Sequence, residues 1–362
     1  MTIPITPGFI VNMGATLTFA GFVTGIIYFA ALFARPLGSL LGDSFNKKWL
    51  LMGTTAITGV SILLYAFVPG VFWLLPNRIL HGIFFSLSGT FSFALGTYYI
   101  PANRMGEGVG FLGVGQVLGR AIGPYAGIYL ADNYSHELCF IVGGCILIAA
   151  GIAIVVIRYD QADSRPRGAA GLLPSKPISF NDLVAVKLLP NALFGGLLIL
   201  GTGISNSYLV MLGIERNISN IGLFFIVNSL ILLLSRPYLG KLADRRGVIS
   251  AIIPGFAFTT LALATIAISG SIWTILIAAF FLALGGGALT AIQADCLNML
   301  SPGQKTLATA TYLVGLDIGV GFGQILGGIS IEHLGFSATF AFSALLTFIG
   351  LVLYMLYKSK RL

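Results

Sequence analysis

Ionisable side chains inside apolar segments are the residues of this sequence best placed to do chemistry. Only 9% of its 362 residues are Asp, Glu, Lys or Arg. Arg78, Arg120, Asp295 and Asp317 nevertheless lie within long apolar stretches. A charge at the centre of a membrane costs about 2.5–3.5 kcal/mol on insertion scales, so such a residue usually faces water, a cavity or a partner. These four positions are therefore the first candidates for a functional site.

Asp317 is the leading candidate for carrying a proton. It lies in "YLVGLDIGVGFGQILGG", two positions from both Gly315 and Gly319. Two positions turn a helix by about 200°, so Asp317 points away from any neighbour on which these glycines pack. A cavity in that direction costs less than lipid, and a carboxyl group that faces a cavity could exchange protons. A salt bridge to Arg120 is the alternative, and it would keep the carboxylate ionised.

Asp295 and His81 are two further candidates for proton transfer. Asp295 precedes Pro302 by seven residues, so a solvated position at the membrane surface is the alternative. His81 lies one turn beyond Arg78 in "RILHGIFF" and could instead be a hydrogen-bonded packing residue. Arg78 itself is nine residues past Pro69. It therefore either faces a polar cavity or extends toward lipid headgroups.

Several polar residues could contact a small substrate. "GISNSYL" places hydroxyl and amide groups together in one apolar stretch, and Gln293 gives another stretch a polar side. Hydrogen bonding between helices is the alternative for all of them. The candidates for substrate contact are Arg78, Arg120, Asn206, Tyr208 and Gln293.

No arrangement typical of an enzyme occurs in the sequence. The three histidines are scattered without metal-ligand spacing. "GGGAL" at 285–289 is not followed by the Lys-Ser/Thr of a phosphate-binding loop. We therefore expect no enzymatic activity, no metal and no cofactor.

The segments that carry these residues are long enough to cross a membrane. The chain is 57% hydrophobic with a mean hydropathy of +0.95, whereas soluble domains are nearer half apolar and a quarter charged. A backbone in lipid must satisfy its own hydrogen bonds, which favours helices, and about 20 residues span the hydrocarbon core. We predict an all-α integral membrane protein with spans at 18–40, 49–69, 71–99, 107–130, 138–157, 186–210, 219–240, 248–269, 272–299, 307–330 and 336–357.

The net charge of +8 reflects orientation in the membrane. The longest polar segment is 159–185, and the loops on its side of the membrane hold most of the basic residues, whereas the opposite loops hold only Arg216. Basic loops are typically cytoplasmic. We therefore predict a cytoplasmic linker at 159–185 between an N-terminal half at 1–158 and a C-terminal half at 186–362. We also expect a cytoplasmic C-terminus, a monomer in a bacterial cytoplasmic membrane, and no nucleic-acid partner.

Two repeats indicate that the halves are duplicates. "ARPLGSLLGDSFNKK" and "SRPYLGKLADRRG" place Arg35 and Asp43 at an offset of 201 residues from Arg236 and Asp244. Glycines at every fourth position recur at an offset of 200, at Gly115, Gly119, Gly123 and Gly127 and at Gly315, Gly319, Gly323 and Gly327. Two unrelated features with nearly one offset indicate a parallel six-helix repeat.

This organisation resembles the major facilitator superfamily, whose signature loop reads Gly-x-x-x-Asp-Arg-x-Gly-Arg-Arg. The second copy matches well, whereas the first has Ser39, Ser44 and Asn46 in place of Gly, Arg and Gly. Asn tolerates the left-handed conformation that this Gly usually supplies. The resemblance gives a role in conformational change to Asp43, Lys47, Lys48, Gly240, Asp244, Arg245, Arg246 and Gly247.

Two further motifs extend the resemblance, and the second of them points to proton-coupled antiporters of the superfamily. "RILHG" resembles its Arg-x-x-Gln-Gly motif, with His81 in place of Gln. The next helix resembles the antiporter motif, with Ile128 in place of the final Gly. That motif comprises Gly110, Gly119, Gly123, Pro124 and Gly127, and the resemblance implies a tight seal between the halves.

The resemblance implies a secondary transporter that exports a small organic compound in exchange for protons by alternating access. The alternatives are a proton-coupled uptake symporter and a truncated, non-transporting membrane protein. Only one predicted span precedes the first signature loop, where the family has two. "MTIPITPGFIVNMG" is similar to the end of a first helix and the loop after it. We therefore expect the chain to lack most of that helix.

Overall fold

The computed structural model describes residues 1–100, 105–158, 185–300 and 305–359. The linker predicted at 159–185 lies outside these ranges except for its last residue. Within them the regular elements are α-helices and short 3-10 turns. The helices are α1 (Thr6–Asn12), α2 (Leu17–Ser44), α3 (Lys47–Leu64), α4 (Leu74–Tyr98), α5 (Met105–Asn133), α6 (His136–Ala153), α7 (Leu189–Glu215), α8 (Leu223–Arg246), α9 (Ile249–Ala267), α10 (Ile272–Asn298) and α11 (Lys305–Ser359).

The predicted spans coincide with α2 to α11. Among the described residues, nine helical stretches are long and apolar enough to cross a membrane. The last of these covers 53 residues, enough for two crossings at about 1.5 Å per residue. Gly335 separates them, because its φ of 79° and ψ of 171° interrupt the helix. The two spans predicted at 307–330 and 336–357 are therefore the two arms of α11.

The two copies of the signature loop differ in their backbone conformation. Asn46 Oδ1 accepts a hydrogen bond from the Lys48 backbone N–H at 2.9 Å, which begins α3. The left-handed conformation expected of Asn46 is wrong, because its φ of −65° and ψ of 114° are those of an extended N-cap. Gly247, in the second copy of the signature loop, has a φ of 82°. The two loops therefore turn by different means.

The helices form two groups that meet along two seams. In the first group, α4 packs on α2 and α3, and α3 also packs on α6. In the second group, α11 packs on α7 and α9, and α10 packs on α8 and α9. The groups meet where α2 packs on α11 and where α5 packs on α8. We call the end of the bundle where α6 ends and α7 begins the linker side, and the opposite end the far side.

The two glycine ridges face inward, each within its own half. A Cβ atom at Gly319 of α11 would lie 2.3 Å from the carbonyl oxygen of Gly196 on α7. On α5, a Cβ at Gly127 would lie 2.3 Å from the Met1 carbonyl oxygen, whereas Gly119 has no atom within 4 Å. These two glycines of α5 thus make no contact with the other half in this conformation, and the seal between the halves that the motif implies stays a prediction. Small residues let two backbones approach closely, but spacing alone does not identify the partner.

Candidate functional site

An ion pair joins α2 of the first half to α11 of the second. Arg35 Nε donates to Asp317 Oδ2 at 2.6 Å, and Arg35 Nη2 donates to Oδ1 at 3.0 Å. This two-point geometry is a strong form of the charge-assisted hydrogen bond. The side chains of Arg35 and Asp317 are 29% and 11% exposed, respectively. The pair is therefore only partly enclosed by protein, and a proton that binds Asp317 competes with an arginine of the other half.

Arg120 is not the partner of Asp317, although the sequence left that pairing open. Arg120 lies on α5, which packs on α8, while Asp317 lies on the seam between α2 and α11. Its side chain is exposed although it is in the middle of its helix. It interacts electrostatically with Tyr28 of α2 and with Arg236 of α8. Arg120 therefore lies near groups of both halves and is not enclosed by protein.

Tyr28 lies at the centre of this polar layer. It interacts electrostatically with Arg78 of α4, Arg120 of α5 and Asp317 of α11, and its hydroxyl group is near the side chain of Gln324. Four helices from the two halves thus bring their charged or polar groups together in mid-bundle. This layer is the candidate functional site.

Arg78 is fully buried, with 0% of its surface exposed. Its Nη1 donates to Tyr65 Oη at 3.4 Å, and its guanidinium lies 5.7 Å from the centre of the Tyr65 ring. An extended position toward lipid headgroups is therefore wrong. Its Nε and Nη2 have no hydrogen-bond partner among the described residues.

His81 packs beside Arg78. Its side chain is 4% exposed, and its Nδ1 lies 3.2 Å from Tyr65 Oη. Its ring meets Phe85 edge to face. These contacts are those of a hydrogen-bonded packing residue, and proton transfer by His81 stays a prediction.

Asp295 belongs to a separate cluster near the linker side. Its Oδ2 accepts hydrogen bonds from Asn191 Nδ2 at 2.9 Å and from Lys358 Nζ at 3.1 Å. These contacts connect α10 with α7 and with the end of α11, all within the second half. Asp295 is therefore an anchor within that half and not the freely solvated residue that the sequence offered as an alternative.

The candidates for substrate contact differ in how much of each side chain is exposed. Tyr208 is 0% exposed, and its hydroxyl donates to the backbone carbonyl oxygen of Gln324 at 2.9 Å. This geometry makes Tyr208 a contact between helices. Asn206 and Gln293 are partly exposed, and their contact with a substrate stays a prediction.

The two halves are closely packed on the far side. A Cβ at Gly25 of α2 would lie 2.7 Å from a backbone oxygen of α11, and one at Gly328 would lie 2.4 Å from Leu17 O. Nearby, the backbone N–H of Thr18 donates to Glu332 Oε2 at 2.6 Å. The α2/α11 seam is therefore closed at this end of the bundle.

The turns of the signature loops are only partly described. The backbones of Asp43, Asp244 and Gly110 lie in α2, α8 and α5, but the side chains of the two aspartates and the surroundings of Gly110 lie outside the described part. Lys48 Nζ donates to Val155 O at 2.8 Å, which ties α3 to the end of α6. The other loop residues that the sequence singled out are at the ends of α3 and α8, namely Lys47, Gly240, Arg245, Arg246 and Gly247, and Pro124 lies inside α5.

Sequence reasoning missed Arg35 and Arg236 as site residues. Both belong to the repeated phrase, but only residues nearer the turns of that phrase were given a role. Their position in the sequence could have indicated a site, because each arginine lies eight residues before the acidic residue of its phrase. Eight residues of helix are about 12 Å, which moves both arginines away from the surface and toward the middle of the membrane.

A bundle of membrane-spanning helices in two repeated halves, with charges on the seams between them, has the architecture of a secondary transporter. The family comparison agrees, because the model of the Major Facilitator Superfamily matches residues 1–268 and 193–361. The chain belongs to the Major Facilitator Superfamily. It is a multi-pass membrane transporter, and members of this superfamily move small molecules across membranes as single chains.

Its relatives include proteins named as efflux pumps. The chain is 27% identical over 368 residues to an uncharacterised MFS-type transporter of Methanocaldococcus jannaschii, covering 97% of this chain and 92% of that protein. It is 24% identical over 364 residues to a multi-drug resistance efflux pump PmrA homolog of Lactococcus lactis, with 97% and 89% covered. It is also 24% identical over 365 residues to the multidrug resistance protein MdtG of Escherichia fergusonii, with 97% and 88% covered.

Solved structures share the fold. The nucleoside transporter NupG matches with a TM-score of 0.77 at 12% identity, covering 98% of this chain and 93% of that one. A bacterial homolog of the human lysosomal transporter Spinster, in an inward-facing and occupied conformation, matches with a TM-score of 0.76 at 13% identity, with 99% and 92% covered. At these identities the likeness concerns the fold alone.

Proposed function

We propose that this protein exports a small organic compound in exchange for protons, and that Asp317 carries the proton. The observation that carries this proposal is the Arg35–Asp317 pair, which fastens α2 to α11 and is only partly enclosed by protein. A carboxylate attracts the guanidinium, whereas a neutral carboxyl group does not. Protonation of Asp317 therefore loosens the seam between the two halves.

The place of the pair determines which conformation it stabilises. Arg35 follows Gly25 by ten residues of α2, or about 15 Å toward the linker side. The pair thus extends the closed far-side seam of α2 and α11. Opening of the far side requires these helices to separate, so the ionised pair stabilises the far-closed conformation.

A pair of this kind suits an exchanger. An exchanger must not change conformation while it is empty, because an empty crossing dissipates the gradient without moving substrate. With Asp317 ionised and no substrate bound, the pair with Arg35 opposes that crossing. A proton releases it by neutralising Asp317, and bound substrate releases it by stabilising the alternative conformation.

The direction of transport is proposed from orientation and relatives. Basic residues concentrate on the linker side, so we place that side, with the C-terminus, in the cytoplasm. The far-closed structure then opens toward the cytoplasm, where an exporter receives its substrate. The names of the PmrA and MdtG relatives favour export. We place the protein in the bacterial cell membrane, as a monomer.

Transport in inverted membrane vesicles tests this function. The vesicles are energised with an acidic interior and supplied with ethidium, carboxyfluorescein and a neutral dye in turn. We expect at least one dye to accumulate inside the vesicles, and this accumulation should be lost when the pH gradient is collapsed. Movement of a dye out of the vesicles together with the protons would show a symporter instead. Asp317→Asn should abolish the coupling, while Asp295→Asn, a matched loss of a carboxylate, should retain it. Gradient-driven transport by a well-folded Asp317→Asn protein would contradict the proposal.

A further inference from the structure

The two seams carry different charges. On the α2/α11 seam, Arg35 meets the carboxylate of Asp317. Arg236 is the counterpart of Arg35 on α8, by the 201-residue offset of the repeated phrase. Among the described residues, the charged group that acts electrostatically on Arg236 is another arginine, Arg120 of α5. One seam is held by attraction, whereas the other has two arginines that repel each other.

Hydrogen-bond donors around this second seam lack acceptors. Arg236 Nε is shielded from solvent and has no hydrogen-bond partner among the described residues. The same holds for Nε and Nη2 of Arg78, which shares the neighbourhood of Tyr28 with Arg120. Buried polar groups without partners are uncommon and call for an explanation such as a missing ligand or ion.

The described acidic side chains do not supply the missing counter-charge. Asp317 is paired with Arg35, and Asp295 is paired with Lys358. The remaining acidic side chains that the structure describes lie at or beside far-side helix ends, namely Asp132, Glu137, Glu215 and Glu332. The middle of the bundle therefore has an excess of positive charge among its described residues.

We infer that the substrate is an organic anion, and that Arg120 and Arg236 bind its carboxylate or phosphate-type group between them. This inference rests on the proposed transport function and names the class of its substrate. Two guanidinium groups from different helices can bind one oxyanion with several charge-assisted hydrogen bonds. An organic cation, by contrast, would meet the repulsion of both groups.

The geometry around the two arginines fits such a ligand. Arg120 is exposed in mid-helix, so a ligand can reach it from water. Arg236 Nη1 extends to α5 and would lie 4.0 Å from a Cβ at Gly113. Each arginine also interacts electrostatically with a tyrosine of the bundle, Arg120 with Tyr28 and Arg236 with Tyr312.

The bound anion would also change the conformation. On the far side, α5 and α8 already touch where Tyr125 packs on Gly222, because a Cβ at Gly222 would lie 2.9 Å from that ring. Arg236 follows Gly222 by 14 residues, or about 21 Å toward the linker side. An anion that draws Arg120 and Arg236 together closes the seam at that level. Closure on the linker side is what must accompany opening of the far side.

Ligand binding to the purified full-length chain tests this inference without any transport. Three probes share a phenyl ring and differ in charge: phenylphosphonate, benzamide and phenyltrimethylammonium. We expect phenylphosphonate to bind most tightly by calorimetry. Arg120→Gln and Arg236→Gln should each raise its dissociation constant at least tenfold. Arg158→Gln, which removes an exposed arginine just beyond the end of α6, is the matched control and should leave it unchanged.

A second variant guards against a simple loss of folding. Arg120→Glu should pair with Arg236, raise the melting temperature of the ligand-free protein and eliminate phenylphosphonate binding. The inference is overturned if phenyltrimethylammonium binds more tightly than phenylphosphonate, if phenylphosphonate does not bind at millimolar concentration, or if the arginine variants bind it like the wild type. Anion binding without proton-coupled transport would instead contradict the proposed function and leave this inference standing.

Discussion

Breaking the Arg35–Asp317 pair one residue at a time should reveal a coupling energy between the two halves. Asp317→Asn leaves Arg35 in a partly buried position without its counter-ion, and Arg35→Gln leaves the carboxylate likewise. The double variant Arg35→Gln/Asp317→Asn leaves two neutral groups that can hydrogen-bond. We therefore expect each single variant to be less stable than the double variant.

The magnitude follows from the exposure of the pair. Exposed ion pairs contribute about 0.2–1 kcal/mol, whereas removal of one partner from a buried pair costs about 3–5 kcal/mol. At 29% and 11% exposure, this pair lies between these limits. We expect each single variant to lower the free energy of unfolding by about 2 kcal/mol, and the double variant by about 1 kcal/mol or less. The coupling energy is then about 3 kcal/mol.

A double-mutant cycle measures this coupling. The free energy of unfolding is obtained for the four proteins by denaturant titration in mixed micelles at neutral pH. The same cycle at a pH low enough to protonate Asp317 should give a coupling near zero, because the neutral carboxyl group no longer attracts Arg35. Additive effects of the two substitutions at neutral pH would refute the reasoning.

Three further predictions concern other parts of the fold. Gly319→Ala should lower the melting temperature by several degrees, because its Cβ would lie 2.3 Å from Gly196 O. Gly119→Ala should hardly change the melting temperature, because no atom lies within 4 Å of its Cβ. Equal effects of the two substitutions would refute the packing argument. Asp295→Asn should lower the free energy of unfolding by about 2 kcal/mol, because its pair with Lys358 is enclosed about as much as the Arg35–Asp317 pair. It should not change the number of protons exchanged per substrate, and a changed number would make it a coupling residue. Asp244→Asn should slow transport while membrane insertion, checked by protease accessibility, is unchanged; an unchanged rate would show that this turn only sets orientation.

Much of the fold follows from local properties of the sequence. Each span was predicted because apolar length alone decides whether a segment can cross a membrane. Asp317 could be singled out for the same reason, since a charge in mid-span is costly wherever its helix lies. The repeat offset then indicated duplicated halves. None of these steps requires knowing which helices touch.

The partners of the site residues could not be predicted in this way. Arg35 is 282 residues from Asp317, and only the packing of α2 on α11 brings them together. Arg120 was considered as the partner because the repeat places it at nearly the same level as Asp317. The repeat relates equivalent positions, however, and it does not say which helices form the seams. The neighbour of the α5 glycine ridge could not be predicted from its spacing for the same reason.

The central claim is that protonation of Asp317 frees the far side to open, and a distance measured across that side tests it most directly. Spin labels at Phe72 and Ile268, which are 77% and 84% exposed in different halves, report it by electron paramagnetic resonance after replacement of the three native cysteines. Loss of about 2 kcal/mol changes a conformational ratio about 30-fold. Lowering the pH should therefore shift the wild type strongly toward the longer distance. Glu332→Gln, on the same seam, should keep this response, and Asp317→Asn should show the longer distance at every pH. A pH response in Asp317→Asn equal to that of the wild type would contradict the account.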